Sequence, residues 1–452
     1  MLRLLYLATI TLAVDSRNAA ASRPFDVLRE LRPLLTRAAA LGAALSPNET
    51  MLLYTRAAEA YTAARDYDAA VLARERVEGA AARAVAENPT RAAASELLLA
   101  RVALAEARLS SRDFDDALSV LRIARADVVR FSAPSPPPSR IIGGLIRVEA
   151  EALSCSGSPE AALDLYVQGV TSGAASYTSA AWLRTWPAAD SPTPFLLESW
   201  RLLSRATQNM SVEAARARIG SELVRRGPWT SPLQLPRTFV KGLESAPWHD
   251  APPPGLEALR VRLEEAAPSL LREFRSLPKS LLLREAECIA AGKAEWLYMT
   301  VNAPWVEDVD DVGCSRATPV ACSIVREAAS AGWAGEALRA TYSILSGGAR
   351  LTTHCGMTNA QLKFHVGLSV PVIGADGRTL VVDAGGTAVT ASGPHDAATP
   401  CATLTVAGVT RAWTAGRAFI FDDSFEHSVV NHCEGIDAER VVMQLVVPFR
   451  DN

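Results

Sequence analysis

Two histidines near the C-terminus carry most of the chemical information in this chain. His354 lies in the sequence THCG, and His427 ends the sequence FDDSFEH. Of the six histidines in 452 residues, five lie between positions 354 and 432, counted inclusively. Imidazole is the commonest metal ligand near neutral pH, and iron oxygenases combine two histidines with open coordination positions. A metal site with His354 and His427 as ligands is therefore the first hypothesis.

The spacing around the first histidine leaves this hypothesis open. The usual iron-oxygenase triad adds a carboxylate, commonly two residues after the first histidine. That position is Gly356 in this chain, and glycine has no side chain that could bind a metal. From the residues alone, the pair could form an iron site without the carboxylate, or it could be purely structural. A third alternative is a cupin-type site of His354, His365 and His427, which would need no 2-oxoglutarate.

The elements around these histidines have the sequence pattern of β-strands. From about residue 338 onwards, short apolar runs alternate with glycine-rich turns. Residues 362–370 alternate strictly, with apolar side chains at even positions and polar or small ones at odd positions. Further strands are predicted at 379–382, 402–406, 417–421 and 441–447. Many short strands of this kind are typical of a jelly roll, which can bring distant histidines together.

The first half of the chain is predicted to be helical. Residues 26–226 are rich in Ala, Leu, Arg and Glu, with apolar residues recurring every three to four positions. The sequence RDYDAA at 65–70 returns as RDFDDAL at 112–118 and more weakly as SPEAAL at 158–163. Each copy separates two helical stretches, which suits stacked hairpins of tetratricopeptide type. A plain helical bundle is the alternative.

The N-terminus has the pattern of a secretory signal peptide or short anchor. Arg3 precedes an apolar run at 4–14, and small residues follow it. A spanning helix needs about 20 apolar residues, so this run is too short for one; an ordinary buried helix is the alternative. We therefore predict a signal or anchor at 1–22, a helical region at 23–226 and a domain at 227–452 with its β core at about 338–450. The predicted location is the secretory pathway, in the lumen of the endoplasmic reticulum.

The net charge limits the possible partners, and the cysteine count limits the possible disulfides. The net charge of -3 and the pI of about 6.2 leave no broad basic surface, which argues against nucleic acid as a partner. A membrane would be a partner only if the N-terminal segment is retained. Seven cysteines are an odd number, but Cys314 and Cys322 could close a small disulfide loop in an oxidising compartment.

The region 342–448 resembles the catalytic domain of the aspartyl/asparaginyl β-hydroxylase family, which are Fe(II)- and 2-oxoglutarate-dependent oxygenases with a double-stranded β-helix fold. The matching residues are Ser343-Ile344, His354-x-Gly356, Thr358-Asn359, LKxHxGL at 362–368, FDDSFEH at 421–427 and Arg440-Val441-Val442. This family has glycine two residues after the first histidine, so Gly356 supports the resemblance. The helical first half and the Cys314/Cys322 pair also resemble family features.

The resemblance implies a role for each matching residue. His354 and His427 would hold Fe(II), beside which O2 would bind. The residues at the 2-oxoglutarate positions are Ser343, Lys363, His365 and Arg440. Arg440 suits this role, because a guanidinium can clamp a carboxylate with two parallel hydrogen bonds.

Three residues depart from the family pattern. Lys363 replaces an arginine, so a two-pronged contact becomes a single point charge and cosubstrate binding should be weaker. Gln361 replaces a substrate-contacting arginine of animal members, so recognition of an acidic substrate side chain should differ. The last strand ends at Val447-Pro448-Phe449 rather than at a histidine-proline pair.

We therefore predict a multidomain α + β chain, with N-terminal helical hairpins followed by a C-terminal jelly roll. The implied function is hydroxylation of the β-carbon of Asp or Asn in a polypeptide, with Fe(II), 2-oxoglutarate and O2. Two alternatives stay open. The domain could be a catalytically degenerate binding scaffold, which the Lys363 and Gln361 departures favour, or it could perform the same chemistry on a small molecule or lipid.

Overall fold

A computed structural model describes residues 24–158 except 42–44 and 132–138, a few helical residues between 161 and 225, and 227–449 with short gaps. The longest of these gaps are 285–289, 292–295 and 387–398. The predicted signal or anchor at 1–22 lies outside the described residues. The chain separates into two compact units, Met1–Leu202 and Leu203–Asn452. Among the described residues, no helix is long and apolar enough to cross a membrane.

The first unit is built from helices that follow one another along the chain. Its helices are α1 (Pro24–Leu41), α2 (Pro47–Ala63), α3 (Tyr67–Glu87), α4 (Arg91–Ser110), α5 (Phe114–Phe131) and α6 (Ser139–Cys155). Polar residues cap three of their N-termini by accepting a backbone N–H of the first turn, namely Ser46, Asp66 and Thr90. Leucine and alanine side chains form the core between neighbouring helices.

The repeated sequence theme marks one recurring turn. Arg65, Arg112 and Gly157 each have a left-handed backbone, with φ values of 60°, 65° and 92°. After each of them, the next residue donates its backbone N–H to the carbonyl five residues earlier. This left-handed residue after the last helical turn is a common way to end a helix and reverse the chain. The predicted helical hairpins are confirmed, and their identity as tetratricopeptide repeats stays a prediction.

The second unit contains two antiparallel sheets. The strands are β1 (Leu283–Arg284), β2 (Ala290–Ala291), β3 (Trp296–Thr300), β4 (Arg339–Leu345), β5 (Arg350–His354), β6 (Gln361–Ile373), β7 (Thr379–Asp383), β8 (Thr399–Pro400), β9 (Ala402–Val406), β10 (Val409–Ala412), β11 (Ala418–Phe421), β12 (His427–Asn431) and β13 (Arg440–Pro448). The larger sheet has the order β1-β3-β4-β13-β6-β11, with β7 and β8 also paired to β6. The smaller sheet has the order β10-β9-β12-β5-β2.

The chain alternates between these two sheets. From β4 to β13, the larger sheet takes β4, then β6 with β7 and β8, then β11 and β13, while the smaller sheet takes β5, the β9–β10 hairpin and β12. This alternation is the topology of a double-stranded β-helix, a form of jelly roll. The predicted fold class is therefore confirmed.

Two helices cover the larger sheet. Helix α7 (Pro254–Ser276) and helix α8 (Pro319–Ala328) pack against the even positions of β6, from Leu362 to Leu368, in one apolar cluster. The odd positions of this strand, including Lys363 and His365, therefore face the space between the sheets.

A β-bulge then reverses the sides of the sheet to which even and odd positions of β6 point, for the residues that follow Leu368. The pairing of β13 with β6 skips one residue between Gly367 and Ser369. Val370 consequently belongs to the cluster between the sheets, with Trp413 and Phe421. The prediction that Val370 shares a face with Leu368 was wrong, because the strict alternation ends at the bulge.

Candidate metal centre and cosubstrate pocket

The fold brings His354 and His427 together. His354 is the last residue of β5 and His427 is the first of β12, and the two are direct partners in the register of these neighbouring strands. Their ring centroids are 4.2 Å apart. The two side chains are thus close enough to share one ion, as the sequence predicted.

Both imidazoles are held in the same tautomer. The Nδ1 atom of His354 lies 2.7 Å from the carbonyl oxygen of Thr352, and that of His427 lies 2.9 Å from the carbonyl oxygen of Phe425. A carbonyl only accepts hydrogen bonds, so each Nδ1 carries the proton and each Nε2 keeps its lone pair. Burial, together with His354 and Lys363, lowers the pKa of His427 to about 3. These are the features of metal-binding histidines, so the donor set fits a divalent transition metal.

Asp423 takes the space that a third ligand would need. A Cβ atom added at Gly356 would collide with the Asp423 carboxylate, and the Gly356 N–H donates to the Asp423 carbonyl at 2.6 Å. Glycine at this position therefore has a steric reason. In the part of the chain that the structure describes, no three His, Cys, Asp or Glu side chains form a group that could hold a metal.

Lys363 and Gln361 both contact Asp423. The Lys363 ammonium lies 2.8 Å from Oδ2 of this buried carboxylate, and the Gln361 amide donates to Oδ1 at 3.3 Å. Burial would raise the pKa of Asp423, but Lys363 and His427 outweigh burial and lower it. The carboxylate is therefore ionised and pairs with Lys363 beside the histidines. The roles predicted for Lys363 toward the cosubstrate and for Gln361 toward the substrate stay predictions.

Arg440 is a buried cation that lacks an acidic partner. It is 1% exposed, its guanidinium lies 4.7 Å from the ring centroid of Trp413, and its Nη2 donates to the Ser343 hydroxyl oxygen at 3.2 Å. No carboxylate forms an ion pair with it among the described residues. Burial lowers the pKa of Arg440 to about 9. A buried charge without a counter-ion is costly, so this position fits an anionic ligand.

His365 lies near Arg440, and neither of its ring nitrogens has a hydrogen-bond partner in the described part of the chain. Its ring contacts Trp413, Phe419 and Phe421, with centroid distances of 6.0, 5.9 and 4.9 Å. Burial, and next the charge of Arg440, lower the pKa of His365 well below its usual range. A neutral imidazole has one donor and one acceptor nitrogen, and leaving them unpaired costs about 1–3 kcal/mol per group. A polar ligand would remove this cost.

Ser343 is prepared to donate a hydrogen bond. Its buried oxygen accepts the indole N–H of Trp296 at 2.9 Å and Nη2 of Arg440 at 3.2 Å. A hydroxyl has two lone pairs and one hydrogen, so the hydrogen remains for a further acceptor. Ser343, His365 and Arg440 thus meet between the sheets with hydrogen-bonding groups suited to a carboxylate, while Lys363 turns to Asp423.

A segment before the β core supports the loop that carries the second histidine. Leu233 accepts the backbone N–H of Glu426 at 2.7 Å, and Pro247 accepts that of Asp422 at 3.2 Å. The Ser245 hydroxyl donates to the buried Asp422 carboxylate at 2.6 Å. Burial raises the pKa of Asp422 to about 6. These contacts join residues far apart along the chain, so no local sequence pattern predicts them.

The disulfides differ from the prediction. Cys314 and Cys322 are buried free thiols, and the Cys322 sulfur donates to the Ser315 carbonyl. The disulfide that the sequence suggested between them is not formed in this structure. A disulfide joins Cys401 and Cys433 instead, with their Cα atoms 5.5 Å apart. These residues flank β9 and β12, and only the pairing of those strands reveals their proximity.

Comparison with known proteins agrees with this geometry. Residues 283–448 match the family model described as aspartyl/asparaginyl β-hydroxylase. This stretch is similar to the aspartyl/asparaginyl β-hydroxylase family. The matched stretch contains the histidine pair, Asp423 and Arg440, and the resemblance predicted from the sequence is confirmed.

Two curated relatives show how much of the chain is shared. Aspartyl/asparaginyl β-hydroxylase of Mus musculus is 26% identical over 209 residues, which cover 45% of this chain and 24% of the relative. Aspartate β-hydroxylase domain-containing protein 1 of Homo sapiens is 27% identical over 238 residues, which cover 48% of each chain. The matches thus span less than half of each relative. A prolyl-4-hydroxylase structure from Pseudomonas putida aligns at 13% identity with a TM-score of 0.23, over 42% of this chain and 88% of its own.

Proposed function

We propose that this protein is an Fe(II)- and 2-oxoglutarate-dependent dioxygenase that hydroxylates the β-carbon of Asp or Asn in a polypeptide. One observation carries the proposal. Two imidazoles with matching Nδ1 bonds lie with their ring centroids 4.2 Å apart, and the buried Arg440 cation nearby has no acidic partner among the described residues. Such a reaction requires a pair of metal ligands and a site that binds a carboxylate.

Each residue of the candidate site would have a distinct role. His354 and His427 would hold Fe(II), which supplies the oxidising chemistry when O2 and 2-oxoglutarate are bound. Two protein ligands would leave open coordination positions for these cosubstrates. Arg440 and Ser343 would orient the distal carboxylate, and His365 would bind the same molecule through a ring nitrogen. The aromatic side chains around His365 would exclude water from the pocket.

The substrate class rests on the family. The matched relatives are named for aspartyl and asparaginyl hydroxylation. In this chain Gln361, buried beside Asp423, would stand where the substrate side chain approaches. The helical unit would recruit the polypeptide. A location in the secretory pathway is supported by the Cys401–Cys433 disulfide, since disulfides persist in oxidising compartments.

Turnover on peptides tests the proposal. Purified protein with Fe(II), 2-oxoglutarate and Asp- or Asn-containing peptides should form succinate together with a peptide heavier by one oxygen atom. The double variant His354→Ala, His427→Ala should do neither, whereas His432→Ala, a change at an exposed histidine, should leave turnover unchanged. Full turnover in the double variant would reject the assignment.

A binding scaffold is the second candidate, favoured by the ion pair between Lys363 and Asp423. This candidate predicts either that the protein fails to bind Fe(II) and 2-oxoglutarate, or that it binds them without forming succinate. Measuring the affinities for Fe(II) and 2-oxoglutarate separately from succinate formation distinguishes the two. If succinate forms only with non-peptide compounds, mass spectrometry of the products would instead identify a small-molecule or lipid substrate.

A further inference from the structure

Three hydrogen-bond donors around the Arg440 guanidinium are buried without an acceptor. Among the residues that the structure describes, neither Nε of Arg440 nor the indole Nε1 of Trp413 has a hydrogen-bond partner. The third donor is the hydroxyl hydrogen of Ser343, whose oxygen already accepts from Trp296 and Arg440. Unpaired buried donors lower the stability of a fold, so three in one place indicate a ligand that accepts all of them.

Trp413 is fixed at this place by the strand beside it. A Cβ atom at Gly367 would lie 2.6 Å from the Thr414 carbonyl oxygen, so only glycine lets the turn after β10 pack this closely on β6. The N–H of Gly416 donates to the Gly367 carbonyl at 2.8 Å. Trp413 is 1% exposed as a result, and its ring contacts both His365 and Arg440.

The donors define the chemistry of the ligand. An indole N–H and a guanidinium can only donate, and the Ser343 oxygen has no lone pair left. The matching group is therefore an acceptor with several lone pairs and a negative charge, which describes a carboxylate. A water molecule would satisfy the donors in part, but it would not neutralise the guanidinium.

We propose that Trp413 is a further cosubstrate-binding residue, whose Nε1–H donates a hydrogen bond to the carboxylate that Arg440 binds. The inference rests on the proposed function, which identifies this group as the distal carboxylate of 2-oxoglutarate. The face of the same ring holds the Arg440 guanidinium in position. Trp413 thus contributes to the preference for a 2-oxo acid with a second carboxylate.

Affinity for two 2-oxo acids tests this role. Trp413→Phe keeps an aromatic ring and removes the N–H. With Mn(II) in place of Fe(II), calorimetry should show that the variant binds 2-oxoglutarate about 10- to 100-fold more weakly than the native protein. Its affinity for 2-oxopentanoate, which has a methyl group in place of the distal carboxylate, should not change.

Trp333→Phe is the matched control. The Trp333 indole Nε1 also lacks a partner, but this ring packs against Gly255 of α7. Its substitution should leave both affinities unchanged. Equal losses for the two acids in Trp413→Phe, or no loss for 2-oxoglutarate, would overturn the role of Trp413 alone. Absence of 2-oxoglutarate binding by the native protein would overturn the proposed function as well.

The native protein provides an independent measurement if Trp413→Phe does not fold. A crystal structure with Mn(II) and 2-oxoglutarate should place a carboxylate oxygen within about 3.2 Å of Nε1 of Trp413. A carboxylate bound by Arg440 but beyond this distance from the indole nitrogen would overturn the inference.

Discussion

Replacing Arg440 by methionine should stabilise the protein without ligand and abolish its response to 2-oxoglutarate. Methionine keeps an unbranched apolar stem, is shorter than arginine, and has no charge. The Arg440 side chain is 1% exposed and burial lowers its pKa from 12.5 to about 9. At 1.4 kcal/mol per pKa unit, burying this charge costs about 5 kcal/mol of folding free energy at neutral pH.

Two contacts offset part of this cost. The cation–π contact with Trp413 contributes about 2 kcal/mol, and the hydrogen bond to Ser343 contributes about 1 kcal/mol. Arg440→Met should therefore raise the free energy of unfolding by about 1–3 kcal/mol, in the range found when buried ions are replaced by apolar residues.

Urea denaturation with and without ligand measures both effects. Mn(II) and 2-oxoglutarate at about 100 times the dissociation constant should stabilise the native protein by about 2.7 kcal/mol through binding, and the variant by nearly nothing. Arg417→Met is the control, because the Arg417 side chain is 73% exposed and its removal should change stability by less than about 0.5 kcal/mol. A variant that is less stable than the native protein without ligand, or that gains as much from 2-oxoglutarate, would refute the reasoning.

Three further predictions concern the surroundings of the site. Gly356→Asp should not restore a working triad, because its Cβ collides with the Asp423 carboxylate; we expect a loss of about 1–3 kcal/mol in chemical denaturation and no gain in turnover. Asp422 has a folded-state pKa raised from 3.8 to about 6, so its stabilisation is complete below pH 3.8 and is lost as the pH rises through 6. Relative to Asp422→Asn, the native protein should therefore gain about 2 kcal/mol of stability between pH 7 and pH 4, and a pH-independent difference would contradict this. Removing the disulfide by Cys401→Ser and Cys433→Ser should cost about 3–4 kcal/mol for a closed loop of 32 residues, and reduction of the native protein should give the same loss.

Local sequence patterns predicted the elements well where each element carries its own signal. The strand predicted at 402–406 coincides with β9, and those at 379–382, 417–421 and 441–447 agree with β7, β11 and β13 to within one residue at each end. The short strands β1 and β2, before the predicted β core, were not predicted. Two-residue strands contain no alternation, so their pairing is decided by the neighbouring strand.

The histidine pair could be predicted because its motifs have a specific spacing, and the fold then places both residues in register. The partners of the pocket could not be predicted in this way. Trp413 reaches His365 only because Gly367 admits the turn after β10, and Lys363 meets Asp423 only because β6 and β11 are neighbours. Such contacts depend on distances across the sheets, which no local pattern contains.

Binding of 2-oxoglutarate with and without Fe(II) tests the central claim most directly. Under anaerobic conditions, we expect the native protein to bind one Fe(II) and one 2-oxoglutarate per chain, with the tight binding of 2-oxoglutarate requiring the metal. The double variant His354→Ala, His427→Ala should lose the metal and, with it, the tight binding of 2-oxoglutarate. Metal-independent binding in the native protein, or unchanged binding in the double variant, would contradict the assignment of these two histidines as the iron ligands.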